Sequence, residues 1–261
     1  GVRFADRMEA IATPAASREL DAIVDEIIAQ WQIDVPPPGE LVLAQEIDEL
    51  RRAAASFHRM ENDARADGDS ATWRHLEFAF GDNGQSVHYT LTDGSSLPMR
   101  GRVDRIDTLT EGSFRVIYYK AGKPDRFRSV SKMGPFNGGR QLQPAIYAGA
   151  LEALLGGDVS RFEYRFPTAR GHNEIIAYDA AELADARPVV TQLLEHVRDG
   201  EFVPTTDMHD CRYCDARTIC RTHEDDHGMV KKSPRAEWAK ANSGLDAFRG
   251  MRERRGIEDT E

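Results

Sequence analysis

With 261 residues, 40% of them hydrophobic and 30% charged, the chain can bury one substantial core or two small ones and sits in the ordinary globular range. Its formal charge of -10 at pH 7 excludes indiscriminate nucleic-acid binding, because the phosphate backbone is recruited by positive charge. No apolar run approaches the ~20 residues of a membrane span, and the N-terminus lacks the charged-then-apolar pattern of a secretory signal.

A cytoplasmic protein with no membrane partner is therefore expected. The chain begins at Gly1 and opens directly on helical sequence, as a fragment of a longer polypeptide would. From Gly1 to about Trp31 the residues Phe4, Met8 and Ile11, then Leu20, Ile23, Val24, Ile27 and Ile28, recur at helical spacing. The periodicity breaks near "TPAAS", where Ser17 can cap a second helix, and "VPPPGE" ends that helix. A further helix is predicted over Glu40 to Ala66, heavily charged on its outer face, with "ADGDS" closing it. The acidic first eighty residues read as a solvated helical face or a surface for another subunit.

The period then changes. "RHLEFAFG" alternates His75, Glu77 and Ala79 against Leu76, Phe78 and Phe80, the pattern of a half-buried strand. Three more strand-like runs follow, "SVHYTL", "LPMRGRVDRID" and "SFRVIYY", separated by the turn signals "TDGSS" and "TEGS". Together they predict an antiparallel meander. After the Gly- and Pro-rich "KMGPFNGG" come a helix over Arg140 to Leu155, strands "RFEYRFP" and "NEIIAY", and a helix from about Ala180 to Asp199. The order predicts an α+β class: a helical N-terminal part over 1–70, a core over 71–224 and a polar tail over 225–261.

Within "GRVDRID", strand alternation puts Arg102, Asp104 and Ile106 on one face and Val103, Arg105 and Asp107 on the other. In the neighbouring strand Tyr118 and Lys120 share a face for the same reason. A carboxylate and a lysine converging from paired strands can hold a divalent metal against a phosphate and stabilise developing charge. The same two residues also suit an exposed cross-strand ion pair. In the following helix Gln143 and Tyr147 are four apart and share one face, suited to a substrate backbone or to the rim of the core. Arg115 to Arg140 holds seven Lys or Arg against one acid, Asp125, so the basic charge concentrates beside these strands.

Taken in order, "GRVDRID", "VIYYKAGK", "LQPAIYA" and "GEFVP" followed by "CRYCDARTIC" resemble the RecB-like branch of the PD-(D/E)XK nuclease superfamily, above all AddB-type nuclease domains. The similarity runs from the N-terminus to about Arg221. The resemblance implies a restriction-endonuclease-like mixed central sheet flanked by helices, and divalent-metal cleavage of DNA. It assigns Asp104 as the first metal-binding aspartate, with Mg²⁺ as the ion, and Lys120 as the lysine that positions the nucleophile. Gln143 and Tyr147 match the family's Q-x-x-x-Y helix, and Glu77 a glutamate preceding the meander. DNA contacts are expected from Arg102, Lys123, Arg126 and Arg140.

Two departures accompany the match. Tyr118 stands where the family's D-Y-K triplet has its second metal-binding carboxylate, and a phenol with an ordinary pKa near ~10 does not replace an anionic oxygen on Mg²⁺. "GVRFADRME" lines up with the family's G-x-x-x-H-x-x-L-E helix, keeping Glu9 but placing Met8 for Leu and Ala5 where the histidine belongs. Asp107 has the wrong strand parity to substitute.

All three cysteines, Cys211, Cys214 and Cys220, lie in one C-x2-C-x5-C run, which in a reducing compartment points to metal. In the resembling family such a run supplies three ligands of a [4Fe-4S] cluster whose fourth cysteine lies far upstream, and this chain has no fourth. The alternative is Zn²⁺ completed by His223. The expected role is a DNA-binding or scaffolding domain of repair machinery, partnered by DNA and a helicase domain or subunit, with impaired catalysis. An active nuclease with a rearranged metal site is the competing expectation.

Overall fold

The computed structural model describes residues 17–35, 37, 39–66, 71–82, 86–109, 111–128, 136, 141–200 and 214–216. Two compact units divide the chain. One is formed by the described residues within Gly1–Thr90, Gly94–Ser129 and Gln143–Ala184, the other by those within Leu91–Asp93, Val130–Leu142 and Asp185–Glu261.

The first unit opens with helices α1 (Ser17–Asp34) and α2 (Glu40–Ala66). Leu20, Val24 and Ile28, spaced by four, bury one stripe of α1 against Ala54 of α2, with Ile47 packed alongside. Each such aliphatic side chain removed from water contributes roughly 2 kcal/mol, so the pair is held by packing and not by propensity.

Strands β1 (Ala71–Phe80), β4 (Gly101–Leu109), β5 (Phe114–Tyr119), β6 (Val159–Phe166) and β7 (Glu174–Asp179) form one sheet in the order β1-β4-β5-β6-β7. The β1–β4, β4–β5 and β6–β7 pairs are antiparallel, whereas β5–β6 is parallel. A parallel pair needs a long crossover, and here it includes α3 (Asp125–Arg128) and α4 (Gln143–Leu155). This mixed sheet flanked by helices is the expected α+β class. Within the expected helix over 140–155, the described part starts at Gln143, and Arg140 lies outside the described residues.

The predicted four-run meander is corrected. Among the described residues, strands β2 (Val87–Thr90) and β3 (Ser96–Met99) pair only with each other, in a separate two-stranded ribbon between β1 and β4 in sequence. The run "LPMRGRVDRID" is thus two strands, broken at Arg100. Gly81, at φ +78°, turns the chain out of β1 into the ribbon, and a Cβ there would stand 2.1 Å from the Met99 carbonyl oxygen. Gly81→Ala, strained in φ and blocked by backbone, is expected to lose about 3 kcal/mol of stability, read as a lower urea midpoint. A loss below ~0.5 kcal/mol would show that the ribbon can shift freely.

The faces of the sheet differ in chemistry. Val116, Tyr118, Phe162, Tyr164 and Phe166 are buried on the face that meets α4, through ring contacts and hydrogen bonds given below. Arg105, Asp107, Tyr119, Glu163 and Arg165 lie on the other, where α2 covers them with Glu61. Strand alternation alone creates this division.

α5 (Ala180–Asp199) starts with a reciprocal cap: Asp179 Oδ1 accepts the Glu182 N–H at 2.9 Å, and Glu182 Oε2 accepts the Asp179 N–H at 2.9 Å. In the second unit the N–H and hydroxyl of Thr92 both donate to Thr191 Oγ1, at 3.1 and 3.0 Å. No described helix is long and apolar enough to cross a membrane.

Candidate functional site

The antiparallel pairing of β4 with β5 sets Arg105 against Ile117 and Ile106 against Val116. Continued one step, this register puts Asp104 across from Tyr118, and strand parity sends both side chains to the same face. Asp104 bridges the strands: its Oδ2 accepts the backbone N–H of Tyr119 at 2.8 Å. That bond occupies one carboxylate oxygen and fixes its position.

Tyr118 is buried, with its ring stacked on Phe162 at 5.5 Å and tilted against Tyr147 at 6.0 Å and Tyr164 at 6.2 Å. Its hydroxyl donates to the Arg102 carbonyl. Burial, with the neighbouring Tyr147 and the charge of Asp104, pushes the phenol well above its ordinary value. Tyr118 is thus a neutral hydrogen-bond donor within an aromatic cluster. The Lys120 Nζ lies 5.0 Å from the centroid of the Tyr118 ring and 5.4 Å from that of Tyr164, so both rings face its charge.

The Gln143–Tyr147 face of α4 packs onto the same cluster. Gln143 Oε1 accepts the Tyr164 hydroxyl at 2.9 Å, and Tyr147 meets Phe80 edge to face at 5.3 Å. Tyr147 also accounts for the glycine that opens "GRVDRID": a Cβ on Gly101 would lie 2.7 Å from its hydroxyl oxygen.

Glu77 departs from the alternation expected of β1. Its φ is +50°, which drops it from the regular β1–β4 ladder, where Leu76 pairs with Arg105 and Phe78 with Val103. Its Oε2 is 3.8 Å from Arg102 Nη1, and Glu77 lines one cavity together with Asp104. Arg102 and Lys123 are exposed. The Arg126 side chain, Arg140, Cys211, Cys220 and His223 lie outside the described residues, as do Ala5, Met8 and Glu9, while Cys214 is described and exposed.

Mg²⁺ takes hard oxygen ligands in near-octahedral geometry, and carboxylates anchor it. The residues present do not fit a site anchored as in the resembling family. Asp104 has one oxygen engaged with backbone, Tyr118 is neutral, and Glu77 is the other acid beside Asp104 along the cavity wall. Among the described residues, no three His, Cys, Asp or Glu side chains converge as a metal-binding group.

A second constellation escaped the sequence reading. Glu61, read there as part of a solvated helical face or a surface for another subunit, is 4% exposed: its Oε2 accepts Arg105 Nη1 at 2.7 Å and its Oε1 accepts Arg165 Nη1 at 2.6 Å. The Tyr119 hydroxyl donates to Glu61 Oε1 at 3.2 Å and accepts from Arg105 Nη1 at 3.0 Å. Arg105 also forks onto Asp107, at 2.6 and 2.7 Å, and Arg115 reaches Asp107 at 2.5 Å. Glu163 accepts Arg165 at 2.8 Å and Arg161 at 2.6 Å. Burial alone would raise the Glu61 carboxyl, but Arg105 and Arg165 outweigh it and hold the group at about 2. The strand pairs Arg105/Asp107 and Glu163/Arg165, each two apart, were readable as sharing a face. Nothing local marks Glu61 as their partner.

Tyr119 connects the two constellations. Its hydroxyl is held by Arg105 and Glu61 on one face of the sheet while its N–H holds Asp104. Phe57 of α2 packs on its ring edge to face at 5.3 Å.

The family model described as PD-(D/E)XK nuclease superfamily matches residues 3–221. No curated protein matches the chain. Among solved structures, one described as "Crystal structure of SSO0001" is similar at 17% identity and a TM-score of 0.31, covering 78% of this chain and 79% of that one. With the matched residues spanning the sheet, α4 and the Asp104, Tyr118 and Lys120 positions, the chain belongs to the PD-(D/E)XK nuclease superfamily.

Proposed function

We propose that this chain is a RecB/AddB-like nuclease-family domain of DNA repair or recombination machinery that grips DNA and braces a helicase partner, with its own cleavage impaired. One observation carries the reading: Tyr118, at the position of the family's second metal-binding carboxylate, is a buried, un-ionised phenol whose hydroxyl is donated to the Arg102 carbonyl. Retained beside it are Asp104, Lys120, Gln143, Tyr147 and the basic run from Arg115 to Arg140, which supply a scaffold and positive charge for a phosphodiester backbone. The cysteine run, in this reading, holds a [4Fe-4S] cluster with a fourth ligand from elsewhere, as a structural clasp in a cytoplasmic assembly. Zinc with His223 is the alternative.

Digestion of end-labelled DNA with Mg²⁺ or Mn²⁺ tests the main claim. The wild-type chain is expected to retain labelled strands without releasing nucleotides. Robust cleavage that Asp104→Ala abolishes would overturn it. That outcome would establish the second reading, an active nuclease with a rearranged site, which the shared cavity of Glu77 and Asp104 favours.

A further inference from the structure

A cavity of about 420 Å³ opens beside Asp104, at the ends of β5 and β6. Its walls are largely apolar, with Ala53 and Phe57 from α2, Leu76 from β1 and Pro167 after β6. Two acids, Glu77 and Asp104, and two arginines, Arg74 and Arg105, break that lining, and both arginines are ion-paired with Asp107. The volume is in the range of small-molecule sites, and Asp104 belongs at once to this cavity and to the strand pair carrying Tyr118.

These features constrain an occupant. Carboxylates accept hydrogen bonds and donate none, so a ligand that strips them of water must bring N–H groups or leave them unsatisfied. An aliphatic chain brings none, and the two arginines already face the Asp107 carboxylate. The faces of Phe57 and Pro167 suit a flat ring. A flat heterocycle with an exocyclic amino group meets both demands, and carboxylates accept from the cytosine amine in nucleic-acid recognition.

We propose that this cavity receives one unpaired amino-bearing nucleobase of a DNA strand whose backbone lies along the Asp104 site, the base resting between the α2 wall and Pro167 with its amine toward Glu77. The inference rests on the DNA-binding reading above and extends it to a base-recognising subsite. Exocyclic amines distinguish cytosine, adenine and guanine from thymine, so the site discriminates by base as well as by single-strandedness.

The test is fluorescence anisotropy, in EDTA, of the full chain with three labelled single strands that differ only at the terminal nucleotide: cytosine, thymine or an abasic site. The cytosine strand is expected to bind about tenfold tighter than the abasic one. Ala53→Phe, which fills the cavity, should erase that difference, the cytosine strand then binding no tighter than the abasic one. Glu77→Ala should remove the preference for cytosine over thymine. Equal affinity of the wild-type chain for cytosine and abasic strands overturns the subsite but leaves DNA binding intact. Persistence of the preference in Ala53→Phe overturns it as well. Failure to bind any of the three strands overturns the DNA-binding reading itself.

Discussion

Glu61→Ala is expected to destabilise the protein by about 3–5 kcal/mol, measured by urea or thermal unfolding. The magnitude follows from what is stranded. Glu61 is 4% exposed, and the two guanidiniums it accepts, Arg105 and Arg165, are 3% and 2% exposed. Removing the carboxylate leaves two buried cations with one counter-charge fewer and opens the Tyr119 hydroxyl as well. A surface ion pair such as Arg52 with Asp48, both well exposed, contributes ~0.5 kcal/mol at most and serves as the control.

The same residue predicts a pH dependence. The folded-state carboxyl sits at about 2, below its ordinary 4.5, so its contribution is fully present above the unfolded value. It is lost as pH falls from about 4.5 to about 2, with roughly 3 kcal/mol released across that window. Glu61→Gln should therefore lower stability at neutral pH and flatten the acid limb. A variant whose acid limb matches the wild type, or a neutral-pH loss under ~1 kcal/mol, would show that Glu61 is not the anchor of α2 on the sheet.

The largest functional effect is expected from Tyr118→Asp. It places a second anionic oxygen across from Asp104 and beside Lys120, where the wild-type chain has a phenol donating to the Arg102 carbonyl. Metal-dependent DNA cleavage is expected to rise by about 10²- to 10³-fold over the wild type, the scale of one electrostatic stabilising group. Both Asp104→Ala and Lys120→Ala, added to it, should abolish the gain. Removing a buried aromatic is expected to lower stability by about 3 kcal/mol, so the assay belongs at low temperature with folding checked by circular dichroism. Calorimetric titration with Mn²⁺ separates the causes of a null result. If the folded variant binds the ion no better than the wild type, the proposal that position 118 is the missing ligand is wrong.

What the sequence revealed depended on whether the signal was local. The helix over Glu40 to Ala66 was readable from its charged outer face and the closing "ADGDS", and Asp104 with Tyr118 and Lys120 from strand parity, because both require only near neighbours. Pairing is not local. β2 and β3 carry the same alternation and the same flanking turns as the central strands, and only the left-handed turn at Gly81 and the break at Arg100 divert them into a ribbon. Glu61 was illegible for a similar reason: one glutamate in a charged helix resembles the others, and its guanidinium partners lie 44 and 104 residues away. The Glu77 backbone was missed because a positive φ leaves no trace in an alternating pattern.

That left-handed residue has a consequence for self-association. β1 is a terminal strand of the sheet, with β4 on one side and, among the described residues, no strand on the other. A long straight border of free amides and carbonyls invites a second copy to add to it, and the usual guards are kinks and charges. Glu77 supplies the kink, within a ten-residue strand. The irregular backbone interrupts the border, so this geometry protects the folded chain against runaway strand addition.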